Sequence, residues 1–129
     1  MKLALLALAA CASNAAPPRG PAAKYEDVTG PLGEYLEAEH ITLVDFWAEW
    51  CAACDEVELQ IGSAIKDDAR IVVRKVDIGD GTGPVALEHK VSTLPHWQVY
   101  DRWKRLRYVL IGNDVLRAPT LAAELLRER

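Results

Sequence analysis

An apolar stretch that runs straight into a closely spaced cysteine pair constrains this chain most. Ile41–Trp47 reads ITLVDFW, a nearly continuous β-branched and aromatic run broken by one acid, Asp45. Such a run predicts a strand buried on both faces, at the centre of a sheet. Cys51 and Cys54 follow it, and Val57, Ile61 and Ile65 then recur at i, i+4 and i+8. That spacing predicts an amphipathic helix over residues 51–66. Cysteines three apart at a helix N-terminus lie on one face, about a turn apart, within reach of a bond. The first also meets the unpaired N–H groups and the positive end of the helix dipole, which favour its thiolate below the ~8.5 of a free cysteine. Cys51 is therefore expected to attack and Cys54, one turn further in, to resolve the resulting mixed disulfide.

The rest of the pattern alternates strand and helix. Residues 24–28 suit a short edge strand. Residues 31–39, with Leu32, Tyr35 and Leu36 at helical spacing and Pro31 in front, suggest a helix. A strand is expected over 71–78, a turn over 79–83 and a short helix over 84–90. Residues 97–100 and 105–111 should form an antiparallel hairpin, Gly112 should break its second strand, and Leu121 and Leu125 mark a closing helix. The order implies an α/β sandwich, a mixed central sheet with helices on both faces. At 129 residues the chain has room for one such domain.

Composition excludes several classes. The formal net charge of -4 comes with well-mixed signs, so no basic stripe points to nucleic acid. Three cysteines are too few for a stapled scaffold or a four-thiolate zinc site. His40, His89 and His96 lack the clustered spacing of zinc ligands, and residue 55 is Asp where a c-type haem motif needs His. A structural disulfide and a copper(I)-binding dithiol stay open as other uses of the pair, although Met1 is the sole methionine. Trp103, Lys104, Arg105 and Arg107 read as a solvated face.

Lys2 followed by the apolar run at residues 3–10 has the form of a secretory leader, too short to span a bilayer. Its end, Leu8-Ala9-Ala10-Cys11, resembles the lipobox of bacterial lipoproteins. The resemblance implies a signal over residues 1–10, a lipidated Cys11 as the new N-terminus and anchorage in the cell envelope; plain secretion is the alternative. Residues 11–23, rich in Ala and Pro, suit a semi-rigid tether ahead of a domain over 24–129.

The segment VDFWAEWCAAC, residues 44–54, resembles the active-site segment of the thioredoxin family, and the likeness extends over most of residues 25–129, including Leu94-Pro95 and Gly112. It implies the thioredoxin fold and thiol–disulfide exchange with no cofactor beyond the Cys51–Cys54 pair and no metal. It also implies roles: Asp45 as a buried acid that moves a proton to or from Cys54, Pro95 as a cis-proline facing the cysteines, and Trp50 and Leu94 beside the substrate. Implied partners are protein disulfides and a thiol electron donor, with the chain a monomer. Ala52-Ala53 stands where thioredoxin has Gly-Pro, and Asp55 and Glu56 stand where it tends to be basic. The cysteine motif followed by acids is also similar to the C-terminal domain of the bacterial transmembrane thiol:disulfide interchange protein, a reductant. The expected function is an exported protein-disulfide reductase, with a non-catalytic thioredoxin-like binding lipoprotein or a copper(I) metallochaperone as alternatives.

Overall fold

A computed structural model describes residues 21–129. The expected leader, Cys11 and most of the expected tether fall outside them. Five strands form one sheet: β1 (Tyr25–Asp27), β2 (Ile41–Trp47), β3 (Ile71–Asp77), β4 (His96–Tyr100) and β5 (Leu106–Ile111). Their spatial order is β1-β3-β2-β4-β5. β1, β3 and β2 run parallel, β4 pairs antiparallel with β2, and β5 pairs antiparallel with β4. The helices are α1 (Ala52–Ile65), α2 (Pro84–Glu88) and α3 (Ala118–Leu126).

β2 is central, and its first six residues are all buried. Alternation sends them to two separate cores. Ile41 and Leu43 pack with Val57, Ile61 and Ile65 of α1, Trp97 and Val99 of β4, and Leu121 and Leu125 of α3. Val44 and Phe46 face the other way, onto Leu32, Leu36, Val76, Ile78, Ala86 and Val91. Side chains separated by two along a strand share a face, so Asp45 follows Ile41 and Leu43 onto the α1 side.

One expected element is shorter than its spacing suggested. Residues 31–39 hold only a 3-10 turn, Leu32–Tyr35, and Leu36 has already turned extended (φ -73°, ψ 134°). Nine residues containing Gly33 are below the length at which a helix sustains itself. A single turn still buries Leu32 and Leu36, and the Tyr35 hydroxyl bonds the Thr29 hydroxyl at 2.9 Å. The remaining elements occupy the expected stretches, with ends moved by a residue or two. Gly112 leaves β5 with φ +61°, a conformation that suits glycine.

Candidate active site

β2 delivers the chain to the site. Beyond Trp47 the backbone turns, with Cys51 N–H donating to the Ala48 carbonyl at 3.0 Å. Cys51 is the N-cap of α1, in extended conformation (φ -97°, ψ 90°), and the Cys54 N–H donates to its Sγ at 3.2 Å. A sulfur is thus placed where caps place oxygen, against an orphan donor of the first turn. Cys51 and Cys54 are joined by a disulfide across a Cα separation of 5.3 Å. Cys51 retains 7% exposure against 1% for Cys54, so an incoming thiol or disulfide meets Cys51 first. A cleft of about 430 Å³ lies on the face opposite α1, lined by Val28, Pro31, Leu32 and Val85 among others, and it includes neither cysteine.

Asp45 is completely buried, and neither carboxylate oxygen has a hydrogen-bond partner. In the sheet it stands opposite Lys75 of β3 on one side and Trp97 of β4 on the other. It is no edge acid, and among the described residues no ion pair holds it. Burial pushes its pKa up to about 7; Glu58 and Asp55 add to the rise and Lys75 partly opposes it. Lys75 Nζ is itself engaged by Glu58 at 2.8 Å and sits 4.9 Å from the centre of the Trp47 ring. The cation nearest the buried acid is therefore shared with a second acid. A carboxyl titrating near 7 can both take and give a proton at neutral pH.

Glu58 and Lys75 were not singled out from sequence. The available signal was position. Glu58 is four residues after Cys54 and next to Val57, which places it on the flank of the buried stripe of α1, one helical turn beyond the second cysteine.

The remaining sequence candidates divide. Trp50 is 63% exposed, so it is no part of the core, and its indole N–H donates to the Gly79 carbonyl at 2.7 Å, fixing the ring beside Cys51. The Leu94–Pro95 bond is cis, as the resemblance implied. Pro95 is buried, Leu94 is half-buried, and the pairing of His96 with Phe46 sets both at the end of the sheet where β2 leaves for Cys51. The structure thus gathers Cys51, Cys54, Trp50, Leu94 and Pro95 at one end, with Asp45 under the sheet face that α1 covers. Trp97 and His96 are both buried and pack, His96 edge-on to Phe46 with ring centres 5.2 Å apart. Among the described residues no cluster of three or more His, Cys, Asp or Glu is placed to hold a metal ion.

The family model described as Thioredoxin matches residues 32–114, more than half of the chain. Thioredoxin of Mycoplasma pneumoniae is 27% identical over 71 residues, covering 55% of this chain and 69% of that protein. Thioredoxin of Streptomyces clavuligerus is 31% identical over 68 residues, covering 53% and 63%. The chain thus spans about two thirds of the length of these relatives. Among solved structures, thioredoxin from Trypanosoma brucei brucei superposes with a TM-score of 0.69 at 16% identity, over 86% of this chain and all of that one. At that identity the likeness speaks for the fold. The family match, the shared fold and the bonded CxxC pair together show that this chain is a thiol–disulfide oxidoreductase belonging to the thioredoxin family.

Proposed function

We propose that this chain is an envelope reductant of protein disulfides, exported by its N-terminal leader and held at a membrane by a lipidated Cys11. The observation that carries the direction of the reaction is the set of carboxyls around the dithiol: Asp45 buried without a partner, with Glu58 and Asp55 close enough to raise its pKa. Negative charge under the site opposes a stable thiolate. Oxidants of this superfamily depend on an unusually stabilised reduced form.

In the proposed cycle the Cys51 thiolate attacks one sulfur of a substrate disulfide and expels the other as a thiolate, leaving a mixed disulfide. Asp45, as carboxylate, accepts the Cys54 proton. The Cys54 thiolate then attacks Cys51 Sγ, the second substrate sulfur departs as thiolate, and the Cys51–Cys54 disulfide seen in the structure is formed. Two electrons have passed to the substrate, and a donor dithiol returns them by the reverse exchange. Trp50 and the Leu94-Pro95 segment flank the incoming chain.

Equilibration of the full chain with glutathione buffers, followed by trapping of free thiols, tests the direction. A potential near the ~-270 mV of thioredoxin itself is expected. A value near -120 mV would make the chain an oxidant, and a pair that never exchanges would leave only a binding module. Mass measurement of the protein isolated from membranes tests Cys11, where the expected result is a diacylglyceryl adduct.

A further inference from the structure

The dithiol occupies one pole of the molecule, and the opposite pole carries a feature that the exchange reaction does not use. β4 runs antiparallel to β2, with Tyr100 opposite Thr42 and His96 opposite Phe46. The β4–β5 turn therefore lies where β2 begins, whereas Cys51 follows the end where β2 stops. In this turn the buried Asp101 carboxylate accepts hydrogen bonds from the Trp103 N–H at 2.9 Å, the Arg105 N–H at 3.0 Å and the Arg105 Nε at 2.8 Å. Lys104 closes the turn with φ +64°. The tip is rigid, held from inside by one acid.

That rigidity presents an amphipathic surface. Trp103 is 44% exposed, and the guanidinium groups of Arg102 and Arg105 lie 4.9 and 5.0 Å from its ring centre. Leu106, beside it, is also exposed. Lys104 has no ion pair among the described residues. Arg105 and Arg107 pair with Asp101, Arg107 also pairs with Glu128, Arg102 donates to the Glu128 carbonyl, and exposed Glu39 adjoins through its N–H to the Arg102 carbonyl; the four cations Arg102, Lys104, Arg105 and Arg107 still outnumber these three acids, on a chain whose net charge is -4. An indole flanked by cations, with an aliphatic neighbour, matches a lipid headgroup layer: the ring enters the acyl boundary while the cations meet phosphates.

The chain also enters the domain at this pole. β1 runs parallel to β3 and β2, and Lys24 Nζ donates to the carbonyls of Ile65 and Asp68, at the end of α1 remote from Cys51. Thirteen residues, 12–24, separate Cys11 from the start of β1. When extended they span ~40 Å, enough to let either edge of the sheet reach a surface to which Cys11 is attached.

We propose that the β4–β5 tip, residues 102–106, docks on an anionic phospholipid bilayer and so holds the Cys51 pole facing away from the membrane. The setting rests on the anchor reading above; the chemistry of the tip does not. The test is sedimentation of the full chain with vesicles of phosphatidylcholine alone or containing one third phosphatidylglycerol, at low and high salt. An acyl anchor binds both vesicle types equally, so the preference for the anionic vesicles isolates the tip. We expect a preference of at least about fivefold, lost at high salt, since each basic residue near such a surface contributes about that factor. Lys104→Asn, which tolerates the left-handed turn, should cut it about fivefold, and Trp103→Ala should weaken binding to the anionic vesicles further. Disulfide-reducing activity in solution should stay unchanged in both variants. Loss of binding to neutral vesicles with the anionic preference intact would refute the anchor alone. Equal binding to both vesicle types, or a preference that survives both substitutions, would overturn the docking surface.

Discussion

Asp45 ionises near pH 4 in an unfolded chain and near 7 in the fold, because burial penalises the charged form and Glu58 reinforces that penalty. Below pH 4 both states hold the proton, and the residue adds nothing to the pH dependence of stability. Between 4 and 7 the folded state keeps a proton that the unfolded state has lost, so stability falls as pH rises through this window. Above 7 the full cost is present, at most about 4 kcal/mol for a shift of this size. Asp45→Asn removes the ionisation. The variant should be more stable than the parent at pH 8, by ~2–4 kcal/mol in urea unfolding of the oxidised protein, and close to it at pH 4. A difference that stays constant across that range would mean that Asp45 is not the buried ionising group. The same substitution should slow disulfide reduction about 100-fold at pH 7 and let the mixed disulfide at Cys51 accumulate, because the step that frees Cys54 loses its proton acceptor. More stable and less active is the combination expected of an acid buried for its chemistry.

At the scale of elements, Arg74 shows what a one-dimensional reading misses. The run IVVRKVD was legible as a strand from its β-branched residues, and β3 occupies it, but nothing in the pattern marked the arginine as completely buried. Its guanidinium donates to the Tyr35 carbonyl at 2.9 Å and the Ala23 carbonyl at 2.9 Å, and pairs with Glu37 at 3.2 Å. It ties the 3-10 turn and the approach to β1 onto the sheet, and those partners lie 37 to 51 residues away in the chain. Pairing at that separation leaves no periodic trace. The same holds for Glu58 with Lys75, whereas Cys51, Cys54 and Ile41–Trp47 were legible because adjacency along the chain carries their information. The overestimated helix at residues 31–39 is the converse case: local spacing was right about which leucines are buried and wrong about the backbone that buries them. Arg74→Ala should cost about 3–5 kcal/mol, since it leaves Glu37 and two carbonyls without their donor in a half-buried setting. Denaturant unfolding measures it, and a cost below 1 kcal/mol would show that β1 and the turn hold without the clamp.

For the whole molecule, the family match and the folding unit differ in extent. The match stops at residue 114, but the core on the α1 side of the sheet does not. Val115, Ala118, Leu121, Ala122 and Leu125 all lie in that core, and Trp97, Val99 and Leu110 lose their cover without them. Burying each large apolar side chain contributes about 1.5–3 kcal/mol, so Val115, Leu121 and Leu125 together carry about 6 kcal/mol before the newly exposed sheet is counted. A domain of this size has about 5–15 kcal/mol in total. At the other end, β1 covers the edge of β3, and removing it bares a strand edge while depriving Arg74 of the Ala23 carbonyl. A chain cut to residues 32–114 should therefore fail to fold: no cooperative thermal transition, exposed apolar surface by dye binding, and a CxxC pair reduced at the rate of an unstructured peptide. A chain beginning at Pro21 should keep the full transition, because among the described residues Ala23 and Lys24 are the first whose groups are bonded to the domain. If the 32–114 piece melted cooperatively, the α2 side of the sheet would be a sufficient core alone, and the packing of α3 would serve to shield the site end of the sheet instead of creating it.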